Sequence, residues 1–173
     1  RNSYIMNSNK INDLINKDNI KFLFSIFKKN NAEIRLVGGC IRDAFLNKEI
    51  KDVDTATLLE PNEVLEILNI NNIEYDDFAI QYGSIIAYPF DQKVQITTLR
   101  EDINQLGRHT NVIYTTSWKK DAARRDFTFN AIYVGRDKKL HDFYNGKLDL
   151  KEKKIKFIGE IEKRIKEDYL RIY

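Results

Sequence analysis

Residues 36–57 read LVGGCIRDAFLNKEIKDVDTAT and combine a short apolar strand, a Gly-Gly pair and two alternating aspartates. The strand is predicted to end at Val37. Gly38 and Gly39 then let the backbone turn tightly and approach a ligand with no Cβ in the way. Residues 40–45 are predicted to be helical, so the free N–H groups of a helix N-terminus would follow the glycines and favour an anion.

Asp52 and Asp54 are separated by one apolar residue, Val53. Because side chains alternate across a strand, we expect both carboxylates on the same face. Hard divalent cations such as Mg²⁺ bind a few carboxylates together with waters and substrate phosphates. Taken singly, a Gly-Gly pair is usually only a turn, and an Asp-x-Asp pair is usually a solvated edge or a cap. Together and in this order, they indicate a nucleotidyl-transfer site.

The composition indicates one globular domain with a sizeable core. The chain has 173 residues, of which 42% are hydrophobic and 32% charged, and its net charge of +3 is too small by itself to identify a nucleic-acid binder. Cys40 is the only cysteine, so an internal disulfide is excluded. No run approaches the roughly 18 apolar residues of a membrane span, and we expect a cytoplasmic protein with no membrane partner. The chain begins at Arg1 and stops inside a helical pattern, so we expect cut ends or a short reading frame.

Apolar spacing predicts the helical scaffold. Residues 11–27 are predicted to form one or two amphipathic helices that end at Asn30 and Asn31. Pro61 suits an early position in a further helix. Both elements are interpreted as packing rather than chemistry.

Residues 80–89 and 93–99 are predicted to be two strands joined by a hairpin turn, with Gln95 on one face of the second strand. Residues 100–111 are polar and contain a glycine, and they are predicted to be a mobile loop. His109 would lie near the tip of that loop, where a solvated histidine is favoured over a catalytic one.

A second polar cluster is DAARRDFTFNAIYV, residues 121–134, within which residues 122–132 are predicted to be a helix or a helix leading into a strand. Arg124 and Arg125 suit phosphate, because a planar guanidinium donates hydrogen bonds in a fork. Asp126 and Asn130 lie four residues apart, so on a helix they would share a face and could hold a ribose. The alternative is a surface helix held by charge pairs.

His141 and Asp142 form a pair that can bind metal, but no other residue with ligand spacing accompanies them, so a structural role is favoured. Residues 160–173 have the apolar spacing of a helix. The other side of that helix would carry Asp168 and Arg171.

These motifs resemble those of the tRNA nucleotidyltransferases (CCA-adding enzymes) and bacterial poly(A) polymerases, class II. The matching segments run in family order: LVGGCIRD, DVDTAT, QITTLRED followed by GRH, DAARRDFTFNAIYV and EDYLR. The resemblance implies an α+β polymerase-β-like nucleotidyltransferase fold, a small mixed β-sheet backed by helices with a C-terminal helix that begins a helical neck. It implies a catalytic head domain at residues 1–158 and a truncated start of the neck at residues 159–173.

The resemblance also implies roles for individual residues. Asp52 and Asp54 would be the catalytic pair and would hold two Mg²⁺ ions, which stabilise the attacking 3′-hydroxyl and the leaving pyrophosphate. Three further groups would contact the triphosphate (Gly38, Gly39, Arg42, Asp43), the ribose and phosphates (Arg124, Arg125, Asp126, Asn130) and the incoming base (Asp168, Arg171).

The chain departs from the family pattern in two ways. Gln95 stands where the family usually has a glutamate, the third carboxylate beside the metals, and a neutral amide should bind a metal more weakly. The body and tail that grip tRNA in the family do not follow in this sequence, although phosphate contacts supply much of nucleic-acid affinity. We therefore expect the chain alone to hold RNA poorly, and a separate chain supplying body and tail is a candidate partner.

The expected function is template-independent addition of CMP and AMP from CTP and ATP to the 3′ end of tRNA or another RNA. Asp168 and Arg171 would be neighbours on one helix face, where a carboxylate and a guanidinium match the amine and acceptor that cytosine and adenine share. The alternatives are a truncated or divergent head that binds nucleotide or RNA without activity, a poly(A) polymerase, and an unrelated nucleotidyltransferase of small molecules. The sequence does not distinguish among addition of CCA, addition of CC and addition of A alone, and it does not determine the oligomeric state.

Overall fold

The computed structural model describes residues 8–106 and 109–162. Nine strands occur in this part of the chain; seven form one mixed sheet, and two form a separate hairpin. The strands are β1 (Ile34–Val37), β2 (Asp54–Thr57), β3 (Tyr75–Asp76), β4 (Ser84–Ala87), β5 (Val94–Thr98), β6 (Arg100–Leu106), β7 (His109–Tyr114), β8 (Ile132–Val134) and β9 (Leu140–Asp142).

The helices of the described residues are short, and none of them is long and apolar enough to cross a membrane. They are α1 (Ser8–Ile15), α2 (Asp18–Lys29), α3 (Gly39–Phe45), α4 (Pro61–Ile70), α5 (Trp118–Ala123) and α6 (Gly146–Lys151), with single 3₁₀ turns at Ile80–Tyr82, Pro89–Asp91 and Thr128–Asn130.

The large sheet has the order β3-β4-β5-β2-β1-β8-β9. β2 and β5 run parallel, and every other neighbouring pair in this sheet is antiparallel. At its centre Asp54, the first residue of β2, pairs with Val37 at the end of β1 and with Gln95 in β5. The register therefore brings the strand before the glycine pair, the second aspartate and Gln95 side by side.

Buried clusters lie on both faces of the sheet. One face packs against α1–α4 in a cluster that includes Phe27, Leu36 and Ile41. The other face contributes to a smaller cluster that includes Val37 of β1, Tyr133 of β8 and residues of α5. Because side chains alternate along a strand, Leu36 and Val37 enter opposite clusters, which explains why all four residues of β1 are buried.

The predicted helical scaffold is confirmed. Residues 11–27 lie in two helices, α1 and α2, and the second ends at Lys29 with Asn30 as its C-cap. Pro61 is the first residue of α4, where it needs no N–H donor. A capping box precedes it: the Glu60 N–H donates to Glu63 Oε2 at 2.8 Å, which satisfies a backbone donor at the helix start.

The two strands predicted within residues 80–99 are confirmed as the antiparallel pair β4 and β5. The first is shorter than predicted and begins at Ser84. Ile80–Tyr82 forms a 3₁₀ turn instead, and Gly83 follows it with a φ of +76°. A left-handed residue ends the turn and redirects the chain into β4.

The prediction of a loop over residues 100–111 is wrong, because β6 and β7 pair as an antiparallel hairpin, with Glu101 opposite Ile113. Strand pairing uses backbone groups, so a polar sequence does not prevent it, and β-branched residues such as Val112 and Ile113 favour it. Residues 107–108 and the His109 side chain lie outside the described part of the chain.

Candidate active site

The glycine turn lies directly against the second aspartate. Gly38 has a φ of +77° and a ψ of −135°, a conformation open to glycine and strained for other residues. α3 begins at the next residue, and the N–H groups of Ile41 and Arg42 both donate to the Gly38 carbonyl at 3.1 Å. A Cβ built on Gly38 would lie 3.9 Å from Asp54 Oδ2 and 3.8 Å from Arg125 Nη1. The turn, a carboxylate and a guanidinium therefore meet at one place.

Asp52 and Asp54 line one cavity of about 280 Å³, together with Val53, Lys93 and Gln95. The prediction that one strand carries both aspartates is wrong in detail, because β2 begins only at Asp54. The Val53 carbonyl nevertheless accepts a hydrogen bond from the Gln95 N–H at 2.9 Å. This bond holds the chain before β2 beside β5, so both carboxylates reach the same cavity.

The two carboxylates differ in their surroundings. Burial raises the pKa of Asp54 above its ordinary value; the charges of Arg125 and Lys93 act in the opposite direction, and Asp52 adds to the increase. The Asp52 side chain is 74% exposed. A bound cation would favour the charged form of Asp54, because it supplies the compensation that water supplies to an exposed carboxylate.

Gln95 and Lys93 form the β5 side of this cavity. The Gln95 amide donates from Nε2 to Ser84 Oγ in β4 at 2.9 Å, while on the other side of β5 Gln95 pairs with Asp54 in the strand register. Lys93 Nζ lies 3.8 Å from Asp52 Oδ1. Sequence reasoning missed Lys93, although its position two residues before Gln95 places it on the same side of an extended segment.

Arg42 and Asp43 form a close pair on α3. Arg42 donates from Nε to Asp43 Oδ1 at 2.9 Å and from Nη2 to Asp43 Oδ2 at 3.1 Å. The third contact, from Nη1 to Asn130 Oδ1, is longer at 3.4 Å. The pair therefore connects the helix after the glycine turn to the second polar cluster.

The second cluster is not one continuous helix. α5 ends at Ala123, and backbone bonds to a later segment replace helical bonds: the Thr128 N–H donates to the Lys156 carbonyl, and the Ile158 N–H donates to the Asp126 carbonyl. Asp126 and Asn130 still meet as predicted, but through a turn, with Asn130 Nδ2 donating to Asp126 Oδ1 at 3.0 Å.

Asp121 is a buried acceptor at the centre of this cluster and is only 1% exposed. It accepts from Arg124 Nε at 2.9 Å, from Arg125 Nη2 at 3.1 Å and from the Tyr133 hydroxyl at 2.7 Å. The Arg100 N–H also donates to it, at 3.2 Å. Burial alone would raise the pKa of Asp121, but the charges of Arg125 and Arg124 with these hydrogen bonds hold it below its ordinary value.

Asp121 therefore determines where Arg125 lies. The guanidinium is held through Nε and Nη2 by Asp121 and Tyr133, while Nη1 is the atom nearest to the glycine turn. Sequence reasoning named Arg125 but missed Asp121 and Tyr133 as its supports. A buried tyrosine in an apolar strand carries no local sign that its hydroxyl accepts or donates a functional hydrogen bond.

The two residues expected to select the base, Asp168 and Arg171, lie outside the described part of the chain. His141 lies in β9 opposite Tyr133. Burial and the positive charges of Arg35 and a neighbouring lysine lower the pKa of His141, so its neutral form is favoured near pH 7.

The residues of the cavity fit a magnesium ion that arrives with its substrate. Within residues 8–106 and 109–162, no group of three or more His, Cys, Asp or Glu side chains forms a metal cage. Mg²⁺ is usually bound through one or two carboxylates plus substrate phosphates, and it keeps several waters. Asp52 and Asp54 could supply those two carboxylates, and the Gly38 turn lies next to Asp54.

Comparisons with known proteins agree with this arrangement. A family model described as the poly(A) polymerase head domain matches residues 34–156. The mouse mitochondrial CCA tRNA nucleotidyltransferase 1 is 40% identical over 156 residues, which cover 90% of this chain and 36% of that protein.

Two crystal structures share the fold. The Bacillus stearothermophilus CCA-adding enzyme in complex with CTP has a TM-score of 0.78 and 28% identity, over 90% of this chain and 38% of that one. A tRNA nucleotidyltransferase with a primer tRNA and an incoming ATP analog has a TM-score of 0.69 and 27% identity, over 87% and 42% of the two chains. The predicted α+β polymerase-β-like fold is therefore confirmed.

The chain spans about a third of the length of the curated relatives it matches. The matched family region contains the glycine turn, both aspartates and the 121–134 cluster, and it ends before Asp168. On the family match and the 40% identity, this chain belongs to the family of tRNA nucleotidyltransferases and poly(A) polymerases.

Proposed function

We propose that this chain is the catalytic head of a template-independent RNA nucleotidyltransferase, which adds CMP and AMP from CTP and ATP to the 3′ end of tRNA. One observation carries the proposal: Gly38 lies within 3.9 Å of Asp54 Oδ2 and 3.8 Å of Arg125 Nη1, measured from a Cβ built on the glycine. Nucleotidyl transfer needs a phosphate site and a carboxylate site in direct contact, and this is where they meet.

The triphosphate and the ribose would be bound by the glycine turn and the neighbouring polar side chains. The Gly38-Gly39 turn lets the triphosphate approach the backbone closely, and Arg125 donates to it from a position fixed by Asp121. The remaining triphosphate and ribose contacts would come from the other predicted polar residues: Arg42, Asp43, Arg124, Asp126 and Asn130.

Asp52 and Asp54 would hold magnesium together with the triphosphate. When bound, Mg²⁺ supplies charge stabilisation to the attacking and leaving oxygens, and the family resemblance implies two ions. Asp54 is the more buried of the two aspartates. It would therefore feel the charge of a bound ion more strongly, since less water screens the interaction.

Base selection belongs to Asp168 and Arg171 in this proposal. Three residues apart on a helix, they would share one face and match the amine and acceptor edge that cytosine and adenine present. The proposal places a domain boundary near residue 158, so both residues would belong to the helical neck that begins after it.

The partners follow from the relatives. One solved relative carries CTP, and another carries a primer tRNA and an ATP analog. Body and tail domains would come from elsewhere, in the same protein or in a separate chain, because the matched region is the head alone. A cytoplasmic location remains a prediction from the sequence, and the mouse relative is named as mitochondrial.

A second candidate is a head that binds nucleotide without transferring it. Gln95 favours this reading, since a neutral amide stands beside Asp54 in the strand register and leaves the cavity with two carboxylates. A third candidate is a poly(A) polymerase, which would use the same chemistry and the same residues in the same roles.

The test is to incubate the purified chain with Mg²⁺, a tRNA lacking its CCA end and each of the four labelled nucleoside triphosphates. Extension with CTP and ATP, and none with UTP or GTP, is the expected result. Binding of CTP without extension would favour the second candidate. Long adenylate tails would identify a poly(A) polymerase, and absence of both binding and extension would contradict the proposal.

A further inference from the structure

Lys93 places a positive charge inside the proposed metal-binding cavity. It lies immediately before β5, and its Nζ is 3.8 Å from Asp52 Oδ1. The same cavity is lined by Asp54 and Gln95. Nothing in the proposed reaction requires a lysine at this position.

The formal charges that line the cavity are two negative and one positive. Gln95 is neutral, and its amide is engaged with Ser84. Among the described residues no further acidic side chain joins Asp52 and Asp54 in a metal-binding group. Before any ion or substrate arrives, the Lys93 ammonium therefore lies beside Asp52, and the Arg125 guanidinium lies near Asp54.

A divalent ion held by Asp52 must lie within a few ångströms of the ammonium beside it. Like charges at that separation repel, and the repulsion is only partly screened by water and salt at such short range. Lys93 and a divalent ion are consequently competitors for the same carboxylate.

We propose that Lys93 is a tethered cation that occupies the outer side of the carboxylate pair and weakens the binding of free divalent ions to it. In the resting chain the ammonium lies 3.8 Å from Asp52 Oδ1. When a nucleoside triphosphate brings its own ion, the flexible four-carbon stem would let the ammonium move away from Asp52. This inference depends on the proposed function, because it takes the carboxylate pair as the metal site.

The test is a titration of the nucleotide-free chain with Mn²⁺, in which free Mn²⁺ is measured by electron paramagnetic resonance. Lys93→Gln should lower the Kd for Mn²⁺ by about fivefold, the size expected for removing one like charge a few ångströms away in a well-solvated site. Lys93→Arg keeps the charge and should retain the Kd of the unaltered chain. Lys21→Gln, at an exposed position on α2, is the matched control and should change nothing.

An unchanged or higher Kd in Lys93→Gln, with circular dichroism like that of the unaltered chain, would overturn the inference. Asp54→Asn separates this failure from that of the proposed function. If Asp54→Asn weakens Mn²⁺ binding while Lys93→Gln has no effect, only the role of Lys93 is wrong. If neither substitution alters Mn²⁺ binding, the carboxylate pair is not a metal site, and both proposals fail.

Discussion

Replacing Asp121 by asparagine should destabilise the chain strongly without changing its shape. Asp121 accepts hydrogen bonds from Arg124, Arg125, Tyr133 and the Arg100 N–H, and all of these partners are donors. The amide of asparagine keeps one acceptor oxygen and replaces the other by a donor that faces donors. The two guanidinium groups would also lose their counter-charge.

The magnitude follows from burial. Removing one side of a buried ion pair costs about 3–5 kcal/mol. The Arg124 and Arg125 side chains retain 15% and 17% exposure, so water compensates part of the loss, and we expect about 3 kcal/mol. With an m-value of about 2 kcal/mol/M, the urea midpoint would fall by about 1.5 M.

The assay is urea unfolding followed by circular dichroism at several pH values, with the exposed Asp77→Asn as control. The pKa of Asp121 is held below its ordinary value in the folded chain. Its stabilisation is therefore complete above the unfolded pKa of about 3.9 and is lost as the pH falls through the folded pKa. The difference between the two chains should persist near neutral pH and shrink below about pH 4. A loss under about 1 kcal/mol, or one equal to that of Asp77→Asn, would refute the reasoning.

Three further substitutions test other parts of the account. Gln95→Glu should raise turnover by roughly an order of magnitude, because a charged oxygen binds a metal ion more tightly than an amide does; unchanged turnover at saturating Mg²⁺ would count against it. Gly38→Ala should cost about 1–3 kcal/mol in thermal unfolding, because its φ of +77° is strained for alanine. Gly39→Ala, inside α3, is the control for it and should be tolerated, so equal losses would argue against backbone strain. Tyr133→Phe should lower the free energy of urea unfolding by about 1–2 kcal/mol, because it removes the hydrogen bond to Asp121. If the loss is equally large in the Asp121→Asn background, the two groups do not act together.

Local pattern was sufficient for the elements that meet at the glycine turn. A strand, a turn and a helix succeed one another within residues 34–45, and each is specified by its own residues: buried apolar side chains, a glycine with positive φ, and amphipathic spacing. Pro61 likewise marked a helix start correctly. The sequence also placed Asp52 and Asp54 at one site, although only Asp54 belongs to the strand.

The errors arose where distant backbone groups decide the structure. The 121–134 cluster is not one helix because the Thr128 N–H donates to the Lys156 carbonyl and the Ile158 N–H donates to the Asp126 carbonyl. Helical spacing alone cannot show such distant backbone bonds. The β6–β7 hairpin does not follow from its polar residues, because the pairing is made by backbone groups. Lys93 and Tyr133 were missed because their partners are distant in sequence. Asp121 lies three and four residues before Arg124 and Arg125, and it was missed because those two arginines were assigned to phosphate.

The most direct measurement of the central claim is the initial rate of CMP transfer to a tRNA lacking its CCA end, compared between the unaltered chain, Asp54→Asn and Asp77→Asn. If Asp54 beneath the Gly38 turn holds the metal and the triphosphate, Asp54→Asn should lower the rate by at least about a hundredfold, since loss of even a supporting partner of a metal ligand costs about 10- to 100-fold. Asp77→Asn should leave the rate unchanged. Transfer at an equal rate by all three chains would contradict the account.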